Sequence, residues 1–96
     1  MSSSSDMREV RDLAHEIAKS TKGFSADMRK RMFDLTSRLK SWSFDVEQVK
    51  VSAEISGDDP SFMTLLVDDQ SEHGAKVKYL LDDTGGLAVL HNSTRS

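Results

Sequence analysis

The stretch VKVSAEISGDDPSFMTLLV, residues 49–67, decides the fold because its first seven residues alternate between apolar and polar side chains. The apolar positions are Val49, Val51, Ala53 and Ile55. Alternation of this kind is typical of a strand that buries one face. GDDP, at 57–60, predicts a turn, since Gly and Asp accept unusual backbone angles and Pro60 has no amide donor. FMTLLV, at 62–67, then predicts a second strand, antiparallel to the first.

Two more strands are predicted downstream, at 76–81 (KVKYLL) and 87–91 (LAVLH). Between them DDTGG, at 82–86, has the composition of a tight turn. The connections between strands are shorter than the roughly dozen residues that a parallel crossover needs. The pattern therefore predicts a four-stranded antiparallel meander.

The residues upstream repeat with the period of a helix instead. The first apolar stripe consists of Met7, Val10, Leu13, Ala14, Ile17 and Ala18. The second consists of Met28, Met32, Leu35, Leu39 and Trp42, spaced four, three, four and three. Gly23 is suited to end the first helix and Ser25 to cap the second, so a short loop predicts an antiparallel helix hairpin.

The predicted fold is therefore α+β, with an N-terminal antiparallel helix hairpin packed on one face of a four-stranded antiparallel β-meander, in the order α-α-β-β-β-β. We predict a single domain at 6–91, with flexible polar tails at 1–5 and 92–96. The strand residues predicted to face the helices are Val49, Val51, Met63, Leu65, Val77, Tyr79, Leu81, Leu87 and Val89.

The composition excludes several classes of site. Without cysteine, the chain of 96 residues forms no disulfide, thiolate nucleophile or cysteine-ligated zinc site. The N-terminal segment lacks the apolar region of a signal peptide, and we expect a cytoplasmic location. The net charge of −3 is unevenly distributed, because residues 1–42 hold nine Lys and Arg against six Asp and Glu, whereas 43–96 hold four against ten.

The densest group of reactive side chains is Asp68, Asp69, Glu72 and His73. Hard cations prefer oxygen ligands, but this spacing departs from the EF-hand loop, which has Gly at its sixth position. We interpret the group as a polar hairpin tip. A second acidic set comprises Asp58, Asp59, Asp82 and Asp83, which the meander brings to one end of the sheet. The sequence leaves open whether these loops mimic phosphate, bind a cation or only form turns.

Catalytic motifs are not found in the sequence. His15, His73 and His91 fall on a helix, a loop and a strand, and none has a motif-defined serine or carboxylate partner. We predict a protein that is not an enzyme and needs no cofactor or metal.

Two surfaces remain as candidates. One is the basic face of the second helix, which is a candidate for contacting nucleic-acid phosphates. Its residues are Arg29, Lys30, Arg31, Arg38 and Lys40. The other is the sheet face opposite the helices, where an apolar patch is rimmed by charge. Its predicted contact residues are Phe62, Leu66, Leu80 and Leu90, with Lys76 and Lys78 at the rim.

We favour the apolar face, with Leu66, Leu80 and Leu90 as neighbours on successive strands. The predicted function is a small protein-binding module that acts as an adaptor, inhibitor or accessory subunit. We expect it to self-associate through this face, as a homodimer. Nucleic-acid binding through the second helix is the alternative.

Overall fold

The computed structural model describes residues 4–20 and 22–94 and contains, in these ranges, two helices followed by five strands. The helices are α1 (Ser4–Lys19) and α2 (Ala26–Leu39). The strands are β1 (Ser41–Val46), β2 (Val49–Ile55), β3 (Phe62–Asp69), β4 (Ala75–Asp82) and β5 (Leu87–Thr94). They form one antiparallel sheet in chain order. The α+β class and the antiparallel meander are confirmed.

The strand number is five, and the prediction of four strands is wrong because Trp42 lies on β1 instead of α2. The helix ends at Leu39, and Lys40 adopts a positive φ of 74° while its N–H donates to Thr36 O at 2.7 Å. This left-handed residue turns the chain directly into a strand. A two-residue turn, with Glu47 at a φ of 57°, then pairs β1 with β2.

The core lies between the helix pair and one face of the sheet. Leu13 and Ile17 of α1 and Met32 and Leu35 of α2 are buried there. The fully buried sheet residues are Val51, Met63, Leu65 and Leu81. Residues next to them along each strand point the other way, so the predicted inward face of β2, β3 and β4 is confirmed.

One buried polar contact fixes α2 against β1. Thr36 Oγ1 donates to Met32 O at 2.6 Å and accepts from Trp42 Nε1 at 2.9 Å. Both residues are buried, so the hydroxyl satisfies the only polar group of the indole within the core.

The regular elements extend into both segments predicted as tails. Ser4 and Ser5 belong to α1, and residues 92–94 belong to β5. Residues 1–3, 95 and 96 lie outside the described ranges. The turns at 57–60 and 82–86 share one end of the sheet, where Asp83 N donates to Ser61 O at 3.0 Å.

Candidate protein interface

The sheet face away from the helices, called here the open face, carries most of the predicted contact residues. Phe62 and Leu66 lie on β3 and Leu80 on β4, each half-buried and alternating with core residues. Leu80 pairs with Thr64 on one side and Ala88 on the other. Phe62 and Leu80 therefore lie on the same face at one end of the sheet, two residues apart in the register of β3 and β4.

Leu66, Leu80 and Leu90 are not paired directly across the strands. Leu66 pairs with Ser52 and Lys78, so it lies diagonally from Leu80 on the same face, as Phe62 does in the other direction. Leu90 has no partner on β4, because the register shifts by one residue between Lys78 and Tyr79. This shift is a β-bulge, which inserts one extra residue into a strand and leaves that residue unpaired.

The open face has its apolar part at the β4–β5 end. A shallow hollow of about 290 Å³ lies there. Its lining residues are Phe62, Leu80, Asp82, Gly86, Leu87 and Ala88. Ala88, which was not among the predicted contact residues, pairs with Leu80 and therefore belongs to the same patch as Phe62 and Leu80.

The other end of the open face is charged. A cross-strand row runs from Asp45 through Lys50 and Asp68 to Lys76, with alternating sign. Opposite charges on neighbouring strands stabilise a sheet, so these four charges contribute to strand pairing at this end. Lys76 and Lys78 are exposed there, and Lys78 is two residues from Leu80, about 7 Å along the strand.

β5 is more exposed than the sequence predicts. All eight of its residues are exposed, including Leu87 at 38%, Val89 at 58% and Leu90 at 51%. Leu87 and Val89 point to the helix side, but the helices contact mainly β1, β2 and β4. The helix pair therefore lies over the β1 to β4 part of the sheet and leaves β5 uncovered.

The basic face of α2 is occupied largely by ion pairs with α1. Arg31 binds Glu16 through two hydrogen bonds of 2.7 Å and also contacts Asp27 at 3.1 Å. Arg38 reaches Glu9 at 2.9 Å and Asp6 at 3.2 Å. These carboxylates neutralise the charges that a phosphate backbone would need.

The remaining basic residues of this face are also largely engaged. Arg29 Nε donates to Gly85 O at 2.8 Å, and another guanidinium nitrogen donates to Phe24 O. Lys30 lies 3.4 Å from Asp34. Lys40 is exposed at the junction between α2 and β1. Arg29 therefore connects the start of α2 to the β4–β5 turn, which is a structural role.

The pairing of the two helices makes stability depend on pH. Hydrogen bonds from Arg31 hold the pKa of Glu16 below its ordinary value of 4.5. A carboxylate whose pKa is lower in the folded state than in the unfolded state stabilises the fold at pH values above its unfolded-state pKa. This stabilisation is lost as the pH falls through the folded-state pKa. Because the pair is exposed, the contribution is below about 1 kcal/mol.

We expect Glu16→Gln to lower the free energy of unfolding slightly near pH 7 and to lose this effect as the pH falls through the lowered pKa of Glu16. Urea denaturation across this pH range measures the difference. Arg31→Gln, which removes the partner of Glu16, is the matched variant. An effect of Glu16→Gln that does not decrease as the pH becomes acidic would contradict the ion pair.

The acidic loops form turns. Asp82 Oδ1 accepts from Thr84 Oγ1 at 2.6 Å, Gly86 N at 2.8 Å and Thr84 N at 2.9 Å, and these bonds lower the pKa of Asp82. Asp59 Oδ1 accepts from Ser61 N at 3.0 Å. In the loop after β3, Asp69 Oδ1 likewise accepts from Ser71 N at 3.0 Å. Within residues 4–20 and 22–94 no group of three or more His, Asp or Glu is arranged to hold a metal ion.

Comparison with protein-family models, with curated proteins and with solved structures gave no match to this chain. In the part of the chain that the structure describes, neither helix has the length and apolar character required to cross a membrane.

Proposed function

We propose that this chain is a small, non-enzymatic protein-binding module of the cytoplasm, acting as an adaptor, an inhibitor or an accessory subunit. The observation that carries the proposal is the hollow on the open face, whose apolar side chains on that face are Phe62, Leu80 and Ala88 and which Asp82 also lines. No helix among the described elements packs on this face. Apolar hollows next to charged residues are typical of protein contact sites.

The hollow and its surroundings specify the chemistry of the partner. A volume of about 290 Å³ accommodates one or two apolar side chains. Burial of one such side chain contributes about 1.5–3 kcal/mol. Lys76 and Lys78 lie on the same face beyond Leu80, so they favour carboxylates next to the apolar anchor. The expected partner segment therefore has a Leu, Ile or Phe followed by Asp or Glu.

Nucleic-acid binding through α2, the alternative, has less support. Arg31 and Arg38 are paired with carboxylates of α1, and Arg29 binds two backbone carbonyls. A phosphate backbone would have to displace these contacts before it gained any counterion release.

Leu80→Asp is expected to reduce capture of a protein partner at least about tenfold, because it places a charge in the apolar hollow. The measurement is a tagged capture from cell extract, with and without nuclease, in which wild type and variant are compared for the same captured protein. Leu66→Asp is the matched control, since it adds the same charge to the same face outside the hollow. We expect it to weaken capture less.

Circular dichroism must show that both variants are folded. Capture unchanged by Leu80→Asp in a folded chain would contradict the proposed site. Captured material that disappears with nuclease would instead support the alternative through α2.

A further inference from the structure

β5 presents an exposed edge of the sheet. Asp82 N donates to Gly86 O at 3.1 Å, which fixes the alternation of hydrogen-bonded pairs along the hairpin. From this alternation and the register, Leu87, Val89, Asn92 and Thr94 direct their backbone N–H and C=O groups away from β4. Residues 87–94 contain no Lys, Arg, Asp, Glu or Pro, the residues that usually protect such an edge.

The opposite edge is less accessible to a strand. α1 packs over β1, and its His15 ring lies 6.0 Å from the ring of Phe44. β1 also carries Asp45 on the open face. An added strand beside β1 would therefore meet α1 on the helix side, whereas β5 is exposed along its whole length.

The bulge at Leu90 makes β5 complementary to itself. Paired residues in an antiparallel sheet point to the same face. In a regular strand of eight residues, full-length pairing with a second copy would match each residue with one that points to the opposite face, because the two residue numbers differ by an odd number. The extra residue in β5 shifts the second half by one and removes this mismatch.

The faces follow directly from the register with β4. Leu87, Val89, Asn92 and Thr94 pair with the helix-side residues Leu81, Tyr79, Val77 and Ala75, respectively. Ala88 and Ser93 pair with Leu80 and Lys76 on the open face. In a full-length self-pairing, Leu87 therefore pairs with Thr94, Ala88 with Ser93 and Val89 with Asn92, and the two side chains of each pair point to the same face. The hydrogen-bonding positions match as well, because residues whose backbone N–H and C=O groups point away from β4 pair with one another.

We infer that two copies of this chain pair antiparallel through β5 and form a continuous ten-stranded sheet with a two-fold axis between Leu90 and His91. The charges favour this direction. On β4, next to β5, Asp82 lies at one end and Lys76 and Lys78 lie towards the other. Antiparallel pairing brings Asp82 of one copy towards these lysines of the other, whereas parallel pairing would align like charges. A two-fold contact also closes after two copies.

This inference goes beyond the proposed partner site and revises the route of self-association from the open face to the edge. It leaves the hollow on each copy uncovered by the sheet of the other. The resulting dimer presents two such hollows on one continuous face, so a partner with two matching segments would bind it with higher avidity than a monomer.

Single introduced cysteines test the pairing directly, because the chain has none of its own. Ala88→Cys and Ser93→Cys chains are purified separately and then oxidised alone or mixed, with covalent dimer measured by non-reducing electrophoresis. We expect the mixture to form covalent dimer at least about tenfold faster than either chain alone. Residues 88 and 93 of opposite copies would face each other as a non-hydrogen-bonded pair, about 4.5 Å apart at Cα.

The homotypic controls follow from the same geometry. Two copies of residue 88, or two of residue 93, would be separated by more than about 12 Å along the strands, beyond the roughly 7 Å that a disulfide allows. Ser43→Cys on β1 is the matched control for the other edge. Crosslinking of Ser43→Cys with Ala88→Cys at the rate of the 88–93 mixture would overturn the inference in favour of head-to-tail pairing.

Sedimentation of the unmodified chain completes the test. We expect a monomer–dimer equilibrium that depends on protein concentration. Val89→Lys should raise the concentration at which half of the chains are dimeric at least about tenfold, and Ser43→Lys should leave this concentration unchanged. A chain that remains monomeric at 100 µM, on the order of a hundred times a micromolar Kd, would overturn the inference. Neither readout needs another protein, so failure here and failure of the Leu80→Asp capture experiment are separate results.

Discussion

Replacement of Leu65 by Ala is expected to lower the free energy of unfolding by about 2–5 kcal/mol. Leu65 is completely buried at the centre of β3, the middle strand, where it pairs with Ala53 and Tyr79 beneath the helices. Removal of its side chain leaves a cavity that the surrounding sheet cannot close. A domain of this size has about 5–10 kcal/mol of stability, so the loss is a large part of the total.

The neighbouring residue provides the control. Leu66 points to the open face and is only half-buried, so Leu66→Ala is expected to cost less than about 1.5 kcal/mol. Urea denaturation followed by circular dichroism measures both variants. Equal losses would contradict the assignment of the two faces of β3, and with it the location of the open face.

The second large effect concerns the contact between α2 and β1. Thr36→Val preserves the shape of the side chain but removes the acceptor for Trp42 Nε1 within the core. A buried donor without its partner costs about 1–3 kcal/mol, and we expect a loss of that size in the free energy of unfolding. Thr36→Ser, which retains the hydroxyl and loses one methyl group, is the matched control for the hydrogen bond.

A double-mutant cycle separates the hydrogen bond from the packing. Trp42→Phe removes the indole donor and part of the ring, so it is destabilising by itself. In the chain that carries both Thr36→Val and Trp42→Phe, no donor is left unsatisfied. We therefore expect the double variant to lose less stability than the sum of the two single losses, by about 1 kcal/mol. Strict additivity would show that the contact does not couple the helix to the strand.

The sequence predicts the strands that alternate cleanly and misses the one whose pattern overlaps a helix. Trp42 fits the helical spacing of Leu35 and Leu39, but it also begins the alternation of Trp42, Phe44 and Val46. The helix ends at Leu39 and is followed by Lys40 with positive φ, and no glycine marks the place. Lysine is uncommon in that conformation, so the local sequence gave no stop signal.

The candidate site was predicted only in part, since cross-strand register depends on pairing over the whole sheet. Phe62 and Leu80 could be assigned to the open face from alternation alone. The bulge that unpairs Leu90 has no local signature, because neither glycine nor proline accompanies it. The exposure of Val89 depends on how far two helices reach across five strands, which alternation does not encode.

The ion pairs between the helices had a signal that the sequence reading missed. Glu9 and Glu16 are seven residues apart, as are Arg31 and Arg38. In an antiparallel helix hairpin, equal spacings of two turns bring Glu16 beside Arg31 and Glu9 beside Arg38. The basic residues of α2 therefore have their neutralising partners on α1, at positions that the matched spacing indicates.

The strand order has a consequence for how the chain reaches this structure. Every strand pairs with its neighbour in sequence, so no pairing has to wait for a distant segment to arrive. Topologies dominated by local contacts fold quickly, within about milliseconds for small mixed domains. Closure of each hairpin costs little chain entropy once the preceding strand is formed, since the connections are short. β5 is synthesised after β1 to β4, so its edge forms only after the rest of the sheet is available for pairing.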